Sequence, residues 1–412
     1  MPTVNSLAEV EEYLDKYHRF KWVDYNLDRM VQLMDFLGNP QDSYKTIHVA
    51  GTSGKTSTSY YIAGLLKEAG YKVGLTVSPH VNGINERMQI DLEPIDCDTY
   101  LPRFNDFIKL TDKSGVKSSW FEFITAFAFW YFAKEKVDYA VIEVGLGGFL
   151  DATNVINRAD KVCVISDIGF DHMNILGNTL GEIAFQKAGI VQLENILITH
   201  KQREEVMEVY KEVCTTKKAT LIVVDDPEIV KSEIPTYQQR NFNLAFKAYS
   251  YLTGRDGIKI LDHQGLNITM HIQIPGRMEQ LRYKGKTIIF DGAHNKQKMD
   301  TFVESYKKLY PKHRPAILLA VKDGKDVKEI ASSLKPLAST IIATQYQENQ
   351  DYRANSWPAK DVAMAFGGKV EVITEPDFKK AFRRLMLTDS DPVVVTGSFY
   401  LISKLKRELG LQ

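Results

Sequence analysis

Along the chain, short runs of consecutive apolar, mostly β-branched residues alternate with longer stretches in which apolar positions return every third or fourth residue. The runs at 46–50, 139–144 and 161–165 are bounded by glycine or polar turns and read as strands buried on both faces. Residues 55–69, 121–134, 179–188 and 202–216 carry helical spacing. This order predicts a mainly parallel sheet covered by helices, because parallel neighbours need a crossover between them. Near Ile274-Pro275-Gly276-Arg277-Met278-Glu279 a turn dipeptide interrupts the pattern. Beyond it the alternation starts again, with runs at 287–290, 315–320, 340–343, 370–373 and 392–396. The expectation is an α/β protein of two domains. Residues 1–275 are expected to form the larger domain, on a mainly parallel sheet, and residues 276–412 a smaller Rossmann-like α/β domain. The polar run 345–355 reads as a loop, and a buried strand is expected over 163–168.

Composition changes this picture little. At 412 residues the chain is long for a single core, which agrees with two domains. Hydrophobic residues at 44% and charged residues at 25% are ordinary for a globular protein. Lys plus Arg and Asp plus Glu both number 52, so no net field favours nucleic acid or an anionic membrane surface. Any anionic ligand must be held by local groups. The three cysteines, Cys97, Cys163 and Cys214, are odd in number and lack a CxxC pair, which argues against a disulfide framework or a structural zinc site and fits a reducing cytoplasm. Residues 1–15 carry acidic groups and no apolar core, so no signal peptide is expected, and no run approaches the length of a membrane span.

The sharpest local signal is Gly51-Thr52-Ser53-Gly54-Lys55-Thr56-Ser57, lying between a strand and a helix. In that setting glycines let backbone N–H groups point at phosphate, and the helix N-terminus adds positive potential. Lys55 is placed to reach the outer phosphates of ATP, and Thr56 or Ser57 offers a hydroxyl to Mg²⁺. The first glycine is Gly51, and the position expected for it in the longer general pattern holds Val49, so a shorter loop variant is implied, and residues 1–275 are expected to be a phosphate-loop ATPase domain.

Phosphoryl transfer is mostly positioning and electrostatics, so hard ligands are expected at the carboxyl edge of the same sheet. Glu143 ends an apolar strand and precedes Gly145-Leu146-Gly147-Gly148; a carboxylate there is costly without a cationic partner, and Mg²⁺ is the natural one. His172, in Gly169-Phe170-Asp171-His172, follows another buried strand and reads equally as a structural histidine or a ligand. Ser78, taken alone, is a turn serine. Lys187, late in a helix, reads by itself as a lysine complementing the helix dipole.

Taken together these residues resemble the folylpolyglutamate synthases and dihydrofolate synthases, relatives of the Mur peptide ligases. The resemblance runs through Leu37-Gly38-Asn39-Pro40, the loop just described, Ser78-Pro79-His80 with Asn85-Glu86-Arg87, and Phe121-Glu122 with Thr125-Ala126. It continues through Glu143 to Gly148 into Leu150-Asp151-Ala152-Thr153-Asn154, then Asp171-His172, Leu176-Gly177, Lys187-Ala188-Gly189-Ile190, Pro275-Gly276-Arg277 and Asp291-Gly292-Ala293-His294-Asn295.

That resemblance implies an ATP-dependent enzyme joining L-glutamate to the carboxylate of a reduced folate, and also to dihydropteroate, through an acyl phosphate. It implies that Ser78, Glu143 and His172 hold Mg²⁺ and that Lys187 is carbamylated, which reverses the reading of that lysine taken alone. It assigns Asn241, Arg277 and Asp291 to the nucleotide, and Lys55, Lys187 and His294 to the chemistry, His294 also serving the incoming glutamate. Ser119, Asp151 and Arg87 fall on the pterin side, and a cytoplasmic monomer is expected. Thr56 stands where the family usually has glycine, Phe149 where it has arginine, and Lys296 where it has proline. Two other readings compete with it. A Mur-type ligase acting on a non-folate acid normally carries a nucleotide-sugar-binding domain ahead of the loop, and only 50 residues precede Gly51. A non-catalytic nucleotide-binding protein would have no need of Lys55, Glu143, His172, Lys187 and His294 together.

Overall fold

The structure is a computed structural model describing residues 3–17, 26–224, 234–348, 354–368 and 370–410. The chain divides into two compact units. The first takes Met1–Ser78, Ile84–Lys231 and Gln238–Ile272; the second takes Pro79–Gly83, Ser232–Tyr237 and Gln273–Gln412.

Among the described residues, the first unit is built on β1 (Lys45–Ala50), β2 (Val73–Thr76), β3 (Met88–Ile90), β4 (Glu93–Pro94), β5 (Tyr139–Glu143), β6 (Val162–Ile165), β7 (Ile196–His200) and β8 (Thr220–Val224). They form one sheet in the order β4-β3-β2-β5-β1-β6-β7-β8. Neighbours from β2 to β8 pair in parallel, and β3 and β4 close one edge antiparallel. Central β5 is buried along its whole length, as its apolar run requires. After β1 the chain crosses to β2 on one side and later to β6 on the other, so the carboxyl end of β1 is a switch point, where open α/β sheets bind ligands.

Two helices set up that edge. Lys55–Glu68 follows β1 and is buried continuously from Thr56 to Leu66, which accounts for its lack of a polar face. Trp120–Glu135 supplies an aromatic core in which Phe123 and Phe127 pack edge-on against Phe104. It opens with a capping box in which the Ser119 hydroxyl accepts from Glu122 N–H while the Glu122 carboxylate accepts from Ser119 N–H.

The second unit has β9 (Arg277–Tyr283), β10 (Lys286–Asp291), β11 (Ala316–Leu319), β12 (Thr340–Gln345), β13 (Gln347–Glu348), β14 (Ala354–Asn355), β15 (Glu371–Asp377) and β16 (Val393–Thr396). Its main sheet runs β15-β12-β11-β16-β10-β9, parallel except for the β9–β10 hairpin.

Three details differ from the expectations. The strand expected over 163–168 stops at Ile165, because Asp167 turns its carbonyl to the loop after β1. The polar run 345–355 is not all loop, since β12 reaches Gln345 and β13 pairs antiparallel with β14; 349–353 lie outside the described residues. The second unit also takes in Pro79–Gly83, far upstream of the boundary read from the chain, partly because the Lys406 ammonium donates both to Asn82 Oδ1 (3.0 Å) and to the Glu279 carboxylate. No helix among the described residues is long and apolar enough to cross a membrane.

Candidate active site

The loop Gly51–Ser57 leaves β1 and enters its helix through two glycines in positive φ, Gly51 at 142° and Gly54 at 88°. Both are also crowded. A Cβ on Gly51 would overlap the Ser166 hydroxyl, and one on Gly54 would overlap Asn241 Oδ1. The structure therefore places Asn241, from the helix Thr236–Asp256, directly against the loop. Thr52 N–H and Ser53 N–H both donate to the Asp167 carbonyl (2.8 and 3.2 Å), and the Thr52 hydroxyl exchanges hydrogen bonds with Gly169 O and N (both 3.1 Å). Lys55 Nζ folds back to the Gly51 carbonyl at 3.2 Å.

The candidate metal ligands are partly assembled. Glu143, at the end of β5 and 2% exposed, accepts from the Thr56 hydroxyl at 3.0 Å and from Ser78 N–H at 3.2 Å. A buried carboxylate with hydroxyl-bearing neighbours beside a phosphate loop is a hard oxygen donor set. It suits Mg²⁺, which binds through one or two carboxylates plus substrate phosphates and keeps several waters. The Ser57 hydroxyl, one residue on, is buried without a hydrogen-bond partner. His172 sits in left-handed conformation (φ 50°) ahead of the short helix Met173–Leu176, about half exposed, with its ring 3.9 Å from the Asp171 carboxylate.

The loop after β5 is tied to the end of the helix Leu180–Ala188. A Cβ on Gly148 would come within 2.8 Å of Gln186 O and 2.9 Å of Lys187 O, Phe149 N–H donates to Gln186 O at 2.8 Å, and Asn154 Nδ2 bridges Phe149 O and Gly189 O at 3.0 Å each. Lys187, in the last turn, is buried. Asp151 spends its carboxylate inside this loop. One oxygen accepts from Leu146 N–H (2.7 Å), and the other from Thr153 N–H (3.0 Å) and the Thr153 hydroxyl (2.6 Å). Burial pushes the Asp151 carboxyl up, against these bonds. Having given its proton to Asp151, the Thr153 hydroxyl can only accept from His48 Nε2 at 2.8 Å, which fixes the His48 tautomer. Burial, aided by Lys161, holds the His48 pKa well below the usual histidine value, so the ring is neutral.

On the pterin side of the sequence reading, Ser119 is the cap of its helix, and the buried Arg87 guanidinium lies 4.7 Å above the Trp120 ring. Arg29 grips the capping Glu122 through two hydrogen bonds, at 2.9 and 3.1 Å.

In the second unit the carboxyl end of β10 carries Asp291, fully buried and with its carboxyl raised by that burial. It accepts from Ala293 N–H (2.9 Å), Met278 N–H (3.0 Å) and the Tyr237 hydroxyl (3.0 Å). His294 Nδ1 must donate to the Gly292 carbonyl (2.7 Å), which leaves Nε2 to accept from Lys298 Nζ at 3.2 Å. Arg277 lies with its guanidinium carbon 3.9 Å from the centre of the Phe399 ring.

Sequence reasoning assigns no role to Phe399, to the pair Asp167–Arg240, or to Phe121 beyond its place in a motif, although the Phe121 ring fills the space a Gly145 side chain would need. The pair joins at 2.9–3.1 Å and ties the segment holding the loop to the turn of helix that carries Asn241. Gly397-Ser398-Phe399, a glycine turn following a buried run, repeats the strand-to-turn signal that marked Gly51 and was the available clue.

A phosphate loop at the switch point of one α/β unit, with a buried carboxylate on its hydroxyl, and a second α/β unit with its own polar edge, define a phosphate-loop nucleotide-binding protein of two-domain α/β type. Comparison with known proteins specifies it. Residues 49–281 match the Mur ligase middle domain and residues 276–399 the Mur ligase glutamate ligase domain. The chain is 30% identical to a dihydrofolate synthetase of Saccharomyces cerevisiae, over 93% of this chain and 98% of that protein. It is 30% identical to a dihydrofolate synthase/folylpolyglutamate synthase of Bacillus subtilis, over 93% and 94%. A Mycobacterium tuberculosis folylpolyglutamate synthase solved in complex with ADP superposes with a TM-score of 0.85 at 28% identity, covering 98% of both chains. The chain belongs to the Mur ligase family, in its folylpolyglutamate synthase and dihydrofolate synthase branch, and is an ATP-dependent, amide-forming ligase.

Proposed function

We propose that this chain uses ATP to join L-glutamate to the carboxylate of a reduced folate, and that dihydropteroate is a further acceptor. The observation that carries the reading is the bonded set Thr56–Glu143–Ser78 beside the loop Gly51–Ser57, in a chain that aligns over nearly its whole length with folate ligases.

A carboxylate and an amine do not condense in neutral water, so the acid's carboxylate must first take the γ-phosphoryl group. The loop N–H groups cradle the phosphates, Lys55 turns from the Gly51 carbonyl to the charge that builds on them, and Asn241 bears on the nucleotide from beside Gly54. Thr56, Ser78 and Glu143, with His172, are the residues that would hold Mg²⁺, whose contribution when bound is to neutralise phosphate charge. Lys187 is proposed to be carbamylated. An ammonium is costly to bury, and a carbamate would bring a negative charge able to answer that of Mg²⁺.

From the second unit, Arg277 and Asp291 are assigned to the nucleotide, and His294 to the incoming glutamate, whose amine displaces phosphate from the acyl phosphate. Arg87 and Ser119 serve the pterin end of the acid, and Asp151 acts there through the loop it braces. The balanced charge and the three unpaired cysteines support a cytoplasmic setting, and light scattering of the purified chain tests the expected monomer.

The direct test supplies MgATP and L-glutamate with a panel of acids and follows ADP and product mass. Folates should release ADP and gain one glutamyl residue. ADP release that depends on another acid and not on folates or dihydropteroate would refute the substrate assignment.

A further inference from the structure

One aromatic ring in the second unit meets four residues of the two motifs that carry Arg277 and His294. β16 ends at Thr396, which pairs with Asp291 of β10 and Leu319 of β11, so the chain leaves the sheet next to the Asp291 motif. Gly397 turns there in positive φ (94°), and a Cβ on it would overlap the Ala320 carbonyl. Ser398 caps the helix Phe399–Leu409, its hydroxyl accepting from Tyr400 N–H (3.1 Å) and meeting the Tyr346 hydroxyl at 2.7 Å. Phe399 is therefore the first residue of a capped helix, which holds its backbone in place.

Its ring lies where side chains of two motif glycines would be. A Cβ on Gly292 would overlap it, and one on Gly276 would stand 3.0 Å from its edge. The neighbours of those glycines lie against the same ring: the Arg277 guanidinium 3.9 Å from its centre, and the His294 imidazole edge-on at 5.9 Å and 71°. A cation over an aromatic face is held electrostatically, and a guanidinium so stacked presents its fork of N–H donors in a set plane.

We infer that Phe399 is a positioning residue of the ligase: its ring sets the plane of the Arg277 guanidinium and holds the His294 imidazole at its edge. The inference rests on the proposed role of Arg277 at the nucleotide. It gives the glycines at 276 and 292 one shared reason, since each clears room for the ring.

The test is steady-state kinetics with MgATP, L-glutamate and a folate acceptor, on Phe399→Ala, Phe399→Leu, Phe399→Tyr and Arg277→Ala, with thermal unfolding as the check on folding. Losing the π face should raise the KM for ATP about tenfold, while the KM for folate stays within about twofold. Tyr, which keeps the ring, should restore ATP binding; Leu, which keeps apolar packing without a π face, should not. In an Arg277→Ala background Phe399→Ala should add little further. Gly292→Ala, which must push the ring aside, should reproduce the ATP defect of Phe399→Ala. A role in packing alone predicts instead that Leu restores as well as Tyr, and that result overturns the inference. So does an unchanged KM for ATP in Phe399→Ala when Arg277→Ala raises it. If Arg277→Ala itself leaves ATP binding unchanged, its assignment to the nucleotide falls, and the inference with it.

Discussion

The two candidate sites lie at the carboxyl ends of parallel strands, yet they are held in different ways. Around the loop Gly51–Ser57 the constraints are mostly main chain and redundant: Thr52 and Ser53 both bond to the Asp167 carbonyl, Thr52 bonds twice to Gly169, and two crowded glycines admit no side chain. Around Asp291 the constraints run mostly through side chains: one buried carboxylate gathers three donors, and one ring carries Arg277 and His294, which add a bond each to the carbonyls of Gly276 and Gly292 and one between His294 and Lys298. A site held by many backbone bonds should tolerate loss of any one brace, whereas a site that hangs on a few side chains should tolerate it less. In the first unit, then, only the groups that meet charge directly should be indispensable.

Glu143→Gln should have the largest effect. The substitution keeps shape and removes the charge that matches a cation, so turnover measured by ADP release should fall about a thousandfold or more while the fold persists. Next, Lys187→Ala should reduce turnover about a hundredfold or more, and added short carboxylates should restore part of it by replacing the carbamate; full activity in this variant would remove the carbamate from the account. Asp291→Asn turns an amide NH₂ toward groups that donate to the carboxylate, so the second unit should lose about 1–3 kcal/mol, read from denaturant midpoints.

Arg240→Ala sharpens the comparison from the other side. Its ion pair with Asp167 is about one-third exposed and only one of several braces on the loop, so the KM for ATP should rise only about twofold, less at high salt. A loss as large as that expected for Phe399→Ala would break the distinction between the two sites. The smallest effect concerns His48, whose folded pKa lies below its unfolded value. Its contribution is therefore present above about pH 6.5 and lost as pH falls, because the unfolded chain takes up a proton that the buried ring refuses. His48→Gln, which can keep the donor to Thr153 without titrating, should flatten that part of the pH–stability profile.

What the sequence showed and hid follows the same division. The central strands were readable because burial on both faces makes them continuous apolar runs, as in 139–144 and 161–165. The phosphate loop was readable because its chemistry is local, carried by neighbours in the chain, and Glu143 because a carboxylate ends an apolar strand. Pairings across long separations leave no comparable trace. The glycine turn before Phe399 marks a strand end but does not announce that the ring lies against Gly276 and Gly292, and nothing near Pro79 shows that Pro79–Gly83 belongs with the second unit. The polar strands β13 and β14 lack an apolar run altogether, and so read as loop. Asp151 was assigned to the substrate side, and its burial with both oxygens committed to its own loop becomes visible only in three dimensions.

The central claim is that the phosphate loop activates a carboxylate by transferring the γ-phosphoryl group to it. The most direct measurement supplies a folate whose acceptor carboxylate is labelled with heavy oxygen, together with MgATP and L-glutamate, and follows the label by mass spectrometry. Transfer through an acyl phosphate predicts one labelled oxygen in each phosphate released and none in ADP. Product formed with unlabelled phosphate, or with label appearing in AMP, would contradict it.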